Sequence, residues 1–341
     1  VKKGEVWFLD IFIYSVFVFA LLFYVSTAER TLVLDNDNYI SYFSHGDLIS
    51  DFIYAALDGK EVVKSILRFF TEEFVWLVFA SAVGGFLSPD VAVVFTVVLI
   101  NLMVAYSLWR LGVGPLGLLL WCVFPVCFAV VGYFQIRQGL AIGVFFCWVV
   151  AGFNPLVGAL LASMIHTTFL VPLLVAVILA ILPSRVNLYH FCFAVVFLCF
   201  AIFFGVQDSF SELAGRRSET YDVSEGAESL NFVIGIVILV SPSFYVAIFR
   251  DKFSEIIVSI SMLHIGISIW LVLAFFVFPL GTARVAYYAQ VFSIFSGVVV
   301  FLSGFRYSLF VSFFYWLIAC ILVYGGIRDD RYSQLGFSWF F

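Results

Sequence analysis

Apolar runs broken by short polar interruptions set the pattern of this chain. After a first run at about Trp7 to Ser26 come Phe74 to Leu87, Val91 to Trp109, Gly114 to Val131, Gly139 to Ala151, Leu156 to Leu182, Leu188 to Phe204, Phe232 to Phe249, Ile256 to Phe278, Val285 to Leu302 and Tyr307 to Tyr324. With roughly 20 residues to a crossing, they predict about eleven helical membrane segments. Two stretches interrupt the pattern: an acidic one from Ala28 to Glu73, residues 28–73, and a polar one over residues 206–230. Both are expected on the outer side of the membrane, the second as a solvated connection or a lid.

Two runs resist a simple reading. Phe74 to Leu87 is short for a crossing and is expected to lie along the interface as an amphipathic helix or to cross. Leu156 to Leu182 is long, and His166-Thr167-Thr168 falls at its middle, where a threonine can cap a new helix. If the first does not cross and the second turns back at His166, then Lys2, Lys3, Arg110, Arg185, Arg250, Lys252 and Arg306 face the cytoplasm. Arg137, His166, Arg284 and the 206–230 loop then face outside. One ordinary crossing at each run instead puts Arg110 outside and Arg137 inside. The first solution gathers Arg137, His166 and Arg284 on one side and is preferred. Arg30, Lys60, Lys64, Arg68, Arg216 and Arg217 lie outside in both.

Composition agrees with a membrane solvent. Of the 341 residues 64% are hydrophobic and 11% charged, against about 25% charged in a soluble domain. The chain is therefore expected to be one integral, all-α polytopic domain over residues 1–341, and no polar stretch is long enough to fold separately. The net charge of −5 does not argue otherwise, because orientation follows Lys and Arg and acidic residues count for little. The two lysines ahead of the first run hold that end inside, and without a small-residue cleavage site the run is expected to be retained. Cys122, Cys127, Cys147, Cys192, Cys199 and Cys320 all lie in apolar runs without a CxxC pair, so neither disulfide nor metal is expected. No P-loop, HExxH, GxSxG or Rossmann glycine pattern occurs, and Asp35-Asn36-Asp37 is too short a motif to imply a metal.

A few polar residues stand where burial is costly. Arg137 and Gln138 open a helix in FQIRQGLAIGVFF, and Arg284 stands between two apolar runs in FPLGTARVAYYAQ. A guanidinium among apolar neighbours needs a partner, a hydrated cavity or an anionic ligand, and its planar fork suits phosphate oxygens. The blander reading is an interfacial arginine reaching for headgroups. Two such arginines on one side could hold a diphosphate and stabilise its charge as it leaves. His166 has no charged neighbour in sequence and becomes a proton acceptor only if the fold supplies one; a lone histidine in an apolar run is more often structural, as His264 is read. Asp35, Asp37, Glu72 and Glu73 border the outer side, where carboxylates can bind sugar hydroxyls or take a proton from one. Against FVWLVF, Glu72 and Glu73 are the more easily buried pair.

Taken together, these segments resemble a family. FQIRQGLAIGVFF followed by ASMIHTTFLVPLL is similar to the pattern of Wzy/EpsG-type polysaccharide repeat-unit polymerases, as are, more loosely, DNDNYISYF, TEEFVWL and TARVAYYAQVFSIF, in the expected order over residues 35 to 295. The resemblance implies a GT-C-like polymerase with an extracytoplasmic cavity in a bacterial cytoplasmic (inner) membrane, its active site facing the periplasm or outside. It would pass a growing glycan from undecaprenyl diphosphate to a lipid-linked repeat unit, with no cofactor and no nucleic acid. Arg137, Arg284 and Gln138 would hold the donor diphosphate; His166, Glu73 or Asp37 would bind or deprotonate the acceptor; Asp35, Glu72 and Tyr288 would bind substrate. Membrane lipid and a chain-length regulator, a polysaccharide co-polymerase, are the implied partners. The Pro-Gly usual after the family's glutamate is replaced here by Glu73-Phe74 or Phe74-Val75, which leaves Glu72 and Glu73 both open. The basic cluster usual before the histidine helix is reduced to Gly152-Phe153-Asn154-Pro155. The rival readings are a transporter or flippase for a lipid-linked or anionic substrate, for which no internal repeat is found, and a membrane acyltransferase.

Overall fold

The apolar runs become helices. The computed structural model describes residues 3–27, 36–44, 49–50, 52–53, 69–70, 72–124, 126–182, 187–205, 230–277, 282–305 and 307–328, and among them there is no strand. Asp35, most of the acidic 28–73 stretch and nearly all of the 206–230 loop lie outside the described residues. The chain divides into two compact units, Val1–Leu170 with Leu322–Phe341, and Val171–Ile321.

The first unit contains α1 (Lys3–Thr27), α2 (Asn36–Ser44), α3 (Phe74–Gly84), α4 (Pro89–Arg110), α5 (Gly114–Val123), a π-helix (Val126–Phe134), α6 (Ile136–Val150), α7 (Pro155–Ile165) and a 3₁₀ turn (Thr167–Phe169). Its axis is α4, which packs against α1, α2, α5 and α6. Pro89 starts this helix at its first turn, where a missing N–H costs nothing. The apolar face of α4 buries Ile100, Val104 and Leu108.

Among the polar residues that α4 buries, Asn101 is bonded at both ends of its amide. Its Nδ2 donates to the carbonyls of Val97 at 2.9 Å and Gly132 at 3.0 Å, and its Oδ1 accepts from Trp121 Nε1 at 2.9 Å. The amide therefore ties α4 to α5 and to the π-helix. A buried amide left unsatisfied would cost about 1–3 kcal/mol, so this bonding also fixes the register of the three elements.

The π-helix ends where Gln135 N–H reaches back five residues to the Val130 carbonyl at 2.7 Å. Gly139, one turn into α6, lies so close to the Val131 carbonyl that a Cβ would collide with it. The wide turn and the glycine together fold α6 back against its own approach. Isolated π-helical turns inside helical segments occur often at functional sites, because they re-aim the side chains that follow.

The second unit contains α8 (Leu170–Ile181), α9 (Leu188–Gly205), α10 (Leu230–Ile248), a 3₁₀ turn (Arg250–Lys252), α11 (Glu255–Val277), α12 (Thr282–Ser303) and α13 (Ser308–Arg328), the last running on beyond this unit. Here α11 is central, packed by α9, α10 and α12. His264 points into this core and meets Ser243 Oγ at 2.8 Å, and Ser243 in turn donates to Ser296 Oγ at 2.9 Å. The structural reading of His264 fits: Ser243 has one proton and gives it to Ser296, so the ring Nδ1 is its donor partner. The outward faces are apolar, with Phe193, Phe197, Leu309 and Phe310 all more than half exposed. In water such surface would be a liability; against acyl chains it is the required one.

The chain is thus an all-α membrane protein. Asp10–Thr27, Pro89–Arg110, Glu255–Phe275 and Val285–Ser303 are long and apolar enough to cross a membrane by length and composition, and shorter apolar helices account for the remaining runs. The eleven predicted segments counted continuous apolarity, which does not require a continuous helix. Gly114 to Val131, one run in the sequence, is split between α5 and the π-helix. The interfacial reading of Phe74 to Leu87 required a polar face, yet in α3 the buried side carries Trp76, Leu77 and Ala80 and the other side carries Val78. With eleven residues, α3 is roughly 16 Å long, about half of a hydrocarbon core.

Replacing Gly139 with alanine is expected to lower the thermal midpoint in detergent, by about 1–3 kcal/mol of overpacking, because the new methyl meets a backbone carbonyl and not a flexible side chain. Alanine at Gly235, where a Cβ meets nothing within 4 Å, serves as the control and should leave the midpoint near the parent value.

Candidate active site

Three residues far apart in sequence meet at one carboxylate. Glu73 lies in the turn ahead of α3, Arg137 in the first turn of α6, and His166 in the break between α7 and α8. Glu73 Oε2 accepts from Arg137 Nη1 at 2.6 Å. Its other oxygen, Oε1, lies 3.2 Å from His166 Nδ1 and accepts from the Thr167 backbone N–H at 3.2 Å, with Thr167 Oγ1 3.3 Å away. Thr167 Oγ1 has a shorter contact, 3.0 Å, to the Phe70 carbonyl, which is where its single proton goes.

Each element places its residue for a local reason. The break before α8 forms because His166 adopts extended backbone, φ −146° and ψ 120°, after Ala162 takes its N–H. The residue at the start of the new turn is therefore His166, and not the threonine expected from the sequence. Glu73 adopts left-handed backbone, φ 58° and ψ 53°, which costs a non-glycine residue about 1–2 kcal/mol. Strain of that size persists where the surroundings hold the residue in place, and here Arg137, His166 and Thr167 do.

The electrostatics follow from burial. A cation at the start of α6 faces the positive end of the helix dipole, an unfavourable placement unless an anion compensates. Glu73 supplies it: its side chain is 2% exposed and that of Arg137 23%. Burial raises the Glu73 pKa, but the hydrogen bond and charge of the His166 ring, the Arg137 guanidinium and the Thr167 N–H outweigh it and hold the carboxyl down at about 2. The aromatic rings of Tyr39 and Tyr42, three apart on α2 and so on one face, stand 6.0 and 5.4 Å from Arg137 Cζ, within cation–π reach. They are held there by α2 packing on α3: Tyr39, Tyr42 and Phe43 all meet Trp76 edge-on, and Gly84 of α3 lies directly against the Phe43 carbonyl. Arg137 Nε is buried without a hydrogen-bond partner among the described residues.

The contacts of His166 Nδ1 also decide its tautomer. The Thr168 N–H at 3.4 Å would require a bare Nδ1, while the Glu73 carboxylate at 3.2 Å requires a protonated one. The contact to the ionised carboxylate is shorter and charge-assisted, so it prevails. The proton sits on Nδ1 and Nε2 is the basic nitrogen of the ring.

A family model matches residues 12–335, nearly the whole chain. The chain belongs to the EpsG family. EpsG proteins are a Wzy-type, polymerase-like family, and membership places this chain among membrane polysaccharide repeat-unit polymerases, glycosyltransferase-like enzymes that act on lipid-linked oligosaccharide in the membrane. No curated protein and no solved structure matches the chain.

Within this EpsG family member the residues singled out from sequence separate clearly. Glu73, Arg137 and His166 come together in the first unit. Of the two glutamates left open, Glu73 is buried at the site and Glu72 is exposed beside it. Gln138 is fully buried, and as the next residue on α6 it points about 100° away from Arg137. Asp37 is exposed in the first turn of α2. Asp35 and the Arg284 side chain lie outside the described residues. Tyr288 is fully buried in α12 of the second unit. Sequence reading did not single out Tyr39, Tyr42 or Thr167. The i, i+3 spacing of the two tyrosines was the available signal, and the threonine, noted only as a cap, carried none.

Glu73→Gln keeps the volume but leaves the guanidinium without its counter-charge, and should destabilise the protein by about 3 kcal/mol, the low end for a broken buried pair; Glu72→Gln should stay within about 0.5 kcal/mol. The parent's advantage over Glu73→Gln is present above pH 4.5, the usual carboxyl value, and is lost as pH falls towards about 2. Thermal unfolding in detergent across that range checks both.

Proposed function

We propose that this protein transfers a growing glycan from undecaprenyl diphosphate to the terminal sugar of an incoming lipid-linked repeat unit, on the outer face of a bacterial cytoplasmic membrane. The observation that carries the reading is the shared carboxylate: Glu73 holds a guanidinium on one oxygen and an imidazole on the other. This is an anion-binding group and a base supplied from one buried support.

In the reaction the acceptor hydroxyl attacks the anomeric carbon of the donor glycan. The bond from that carbon to the diphosphate oxygen breaks, and the proton of the hydroxyl passes to His166 Nε2. Glu73 keeps the ring in the tautomer with a bare Nε2 and stabilises the imidazolium that forms, the role a buried carboxylate has behind a general base. Arg137 turns the exposed part of its guanidinium to the diphosphate and takes up the charge that develops on it. No nucleotide sugar enters, because the lipid diphosphate is already an activated leaving group. Glu73 acts through the other two residues and is a positioning residue here.

The rest of the assignment follows the family pattern. Glu72 and Asp35 bind substrate and Asp37 binds the acceptor sugar in an extracytoplasmic, GT-C-like cavity, and the same pattern gives Gln138, Arg284 and Tyr288 substrate-binding roles. About eleven membrane segments carry it, and a polysaccharide co-polymerase sets chain length.

In a deletion strain scored for surface polysaccharide, Arg137→Ala and His166→Ala are each expected to leave single-repeat product while the protein still reaches the membrane. Arg137→Lys should restore less than a tenth of the long chains, since a point charge lacks the planar fork. Normal chain length with Arg137→Ala or His166→Ala overturns the proposal.

A further inference from the structure

The second unit contains a cavity of about 1050 Å³ where the end of α8, the start of α9, the end of α10 and the start of α11 meet. Small-molecule sites occupy about 300–1,000 Å³, so this space is large enough for a headgroup with part of its hydrocarbon. Its lining is graded. Arg250 and Asp251, on the 3₁₀ turn, and Glu255, opening α11, form a charged rim, while Phe191, Phe244 and Met262 form an apolar floor. Glu255 and Met262 are seven residues apart on one face of α11, so rim and floor are separated by roughly 10 Å.

The rim carries both signs. A purely anionic headgroup would meet the guanidinium but also two carboxylates; a simple cation would meet the reverse conflict. A group with a phosphate and an ammonium a few ångströms apart matches the charges of all three side chains. The apolar floor adds that the ligand continues as hydrocarbon, and the cavity's place among helix ends and interhelical turns is where acyl chains and headgroups occur together. We propose that this cavity is a binding site for a zwitterionic aminophospholipid, its phosphate on Arg250, its ammonium on Asp251 and Glu255, and its acyl chain on Phe191, Phe244 and Met262. The site does not depend on the polymerase assignment.

The test is native mass spectrometry of the full-length protein in detergent, titrated with phosphatidylethanolamine or with phosphatidylglycerol of identical acyl chains. The expected result is at least fivefold stronger retention of phosphatidylethanolamine. Arg250→Gln and the double variant Asp251→Asn/Glu255→Gln should each remove that preference, and Met262→Trp should weaken retention of both lipids by filling the floor. All three changes lie at exposed or half-buried positions, and a monodisperse profile on gel filtration shows that each variant is folded. Equal retention of the two lipids by the parent, or retention unchanged in all variants, overturns the site and leaves only lipid bound around the helices.

Discussion

The first unit depends on what one carboxylate does with its two oxygens. An arginine at the start of an apolar helix is unfavourable twice over, once for its desolvation and once for the helix dipole it faces. Glu73 relieves both by pairing with Arg137 at 2.6 Å, and its second oxygen spans the break between α7 and α8 through His166 and Thr167. Three segments that share no sequence proximity are thereby brought to one point. The same contacts explain why Glu73 can persist in left-handed backbone, since relaxing it would release partners on both sides.

Around that point the fold behaves as a support. Asn101 fixes α4 to α5 and to the π-helix through two hydrogen bonds, and the π-helix hands over to α6 at the residue before Ile136. On the other side, the close approach of Gly84 to Phe43 presses α2 on α3 and sets Tyr39 and Tyr42 beside the guanidinium. A group expected to meet a diphosphate is then held by ring faces and by a counter-ion that leave part of its fork unused.

Much of this was legible in the sequence, and the limits have physical reasons. Apolar runs announced the helices because a bilayer demands them, but periodicity cannot distinguish a continuous helix from α5 followed by a π-helix when every residue in both is apolar. Arg137 and His166 were visible because each is expensive where it stands. Glu73 was a candidate too, but the choice between it and Glu72 stayed open, because they are the same residue type in adjacent positions and only the backbone conformation decides which one turns inward. Tyr39 and Tyr42 were hidden by the chain's many aromatic residues, among which no pair stands out until α2 packs.

The π-helix before α6 has an implication for how this chain can change. A π turn accommodates one residue more than an α turn of similar span. Removing a residue between Val126 and Phe134 while these turns stay wide would swing everything downstream by roughly a quarter of a turn. Substitution in this stretch is therefore a matter of packing alone, whereas a change of length would disconnect the guanidinium from its anion without touching either of them.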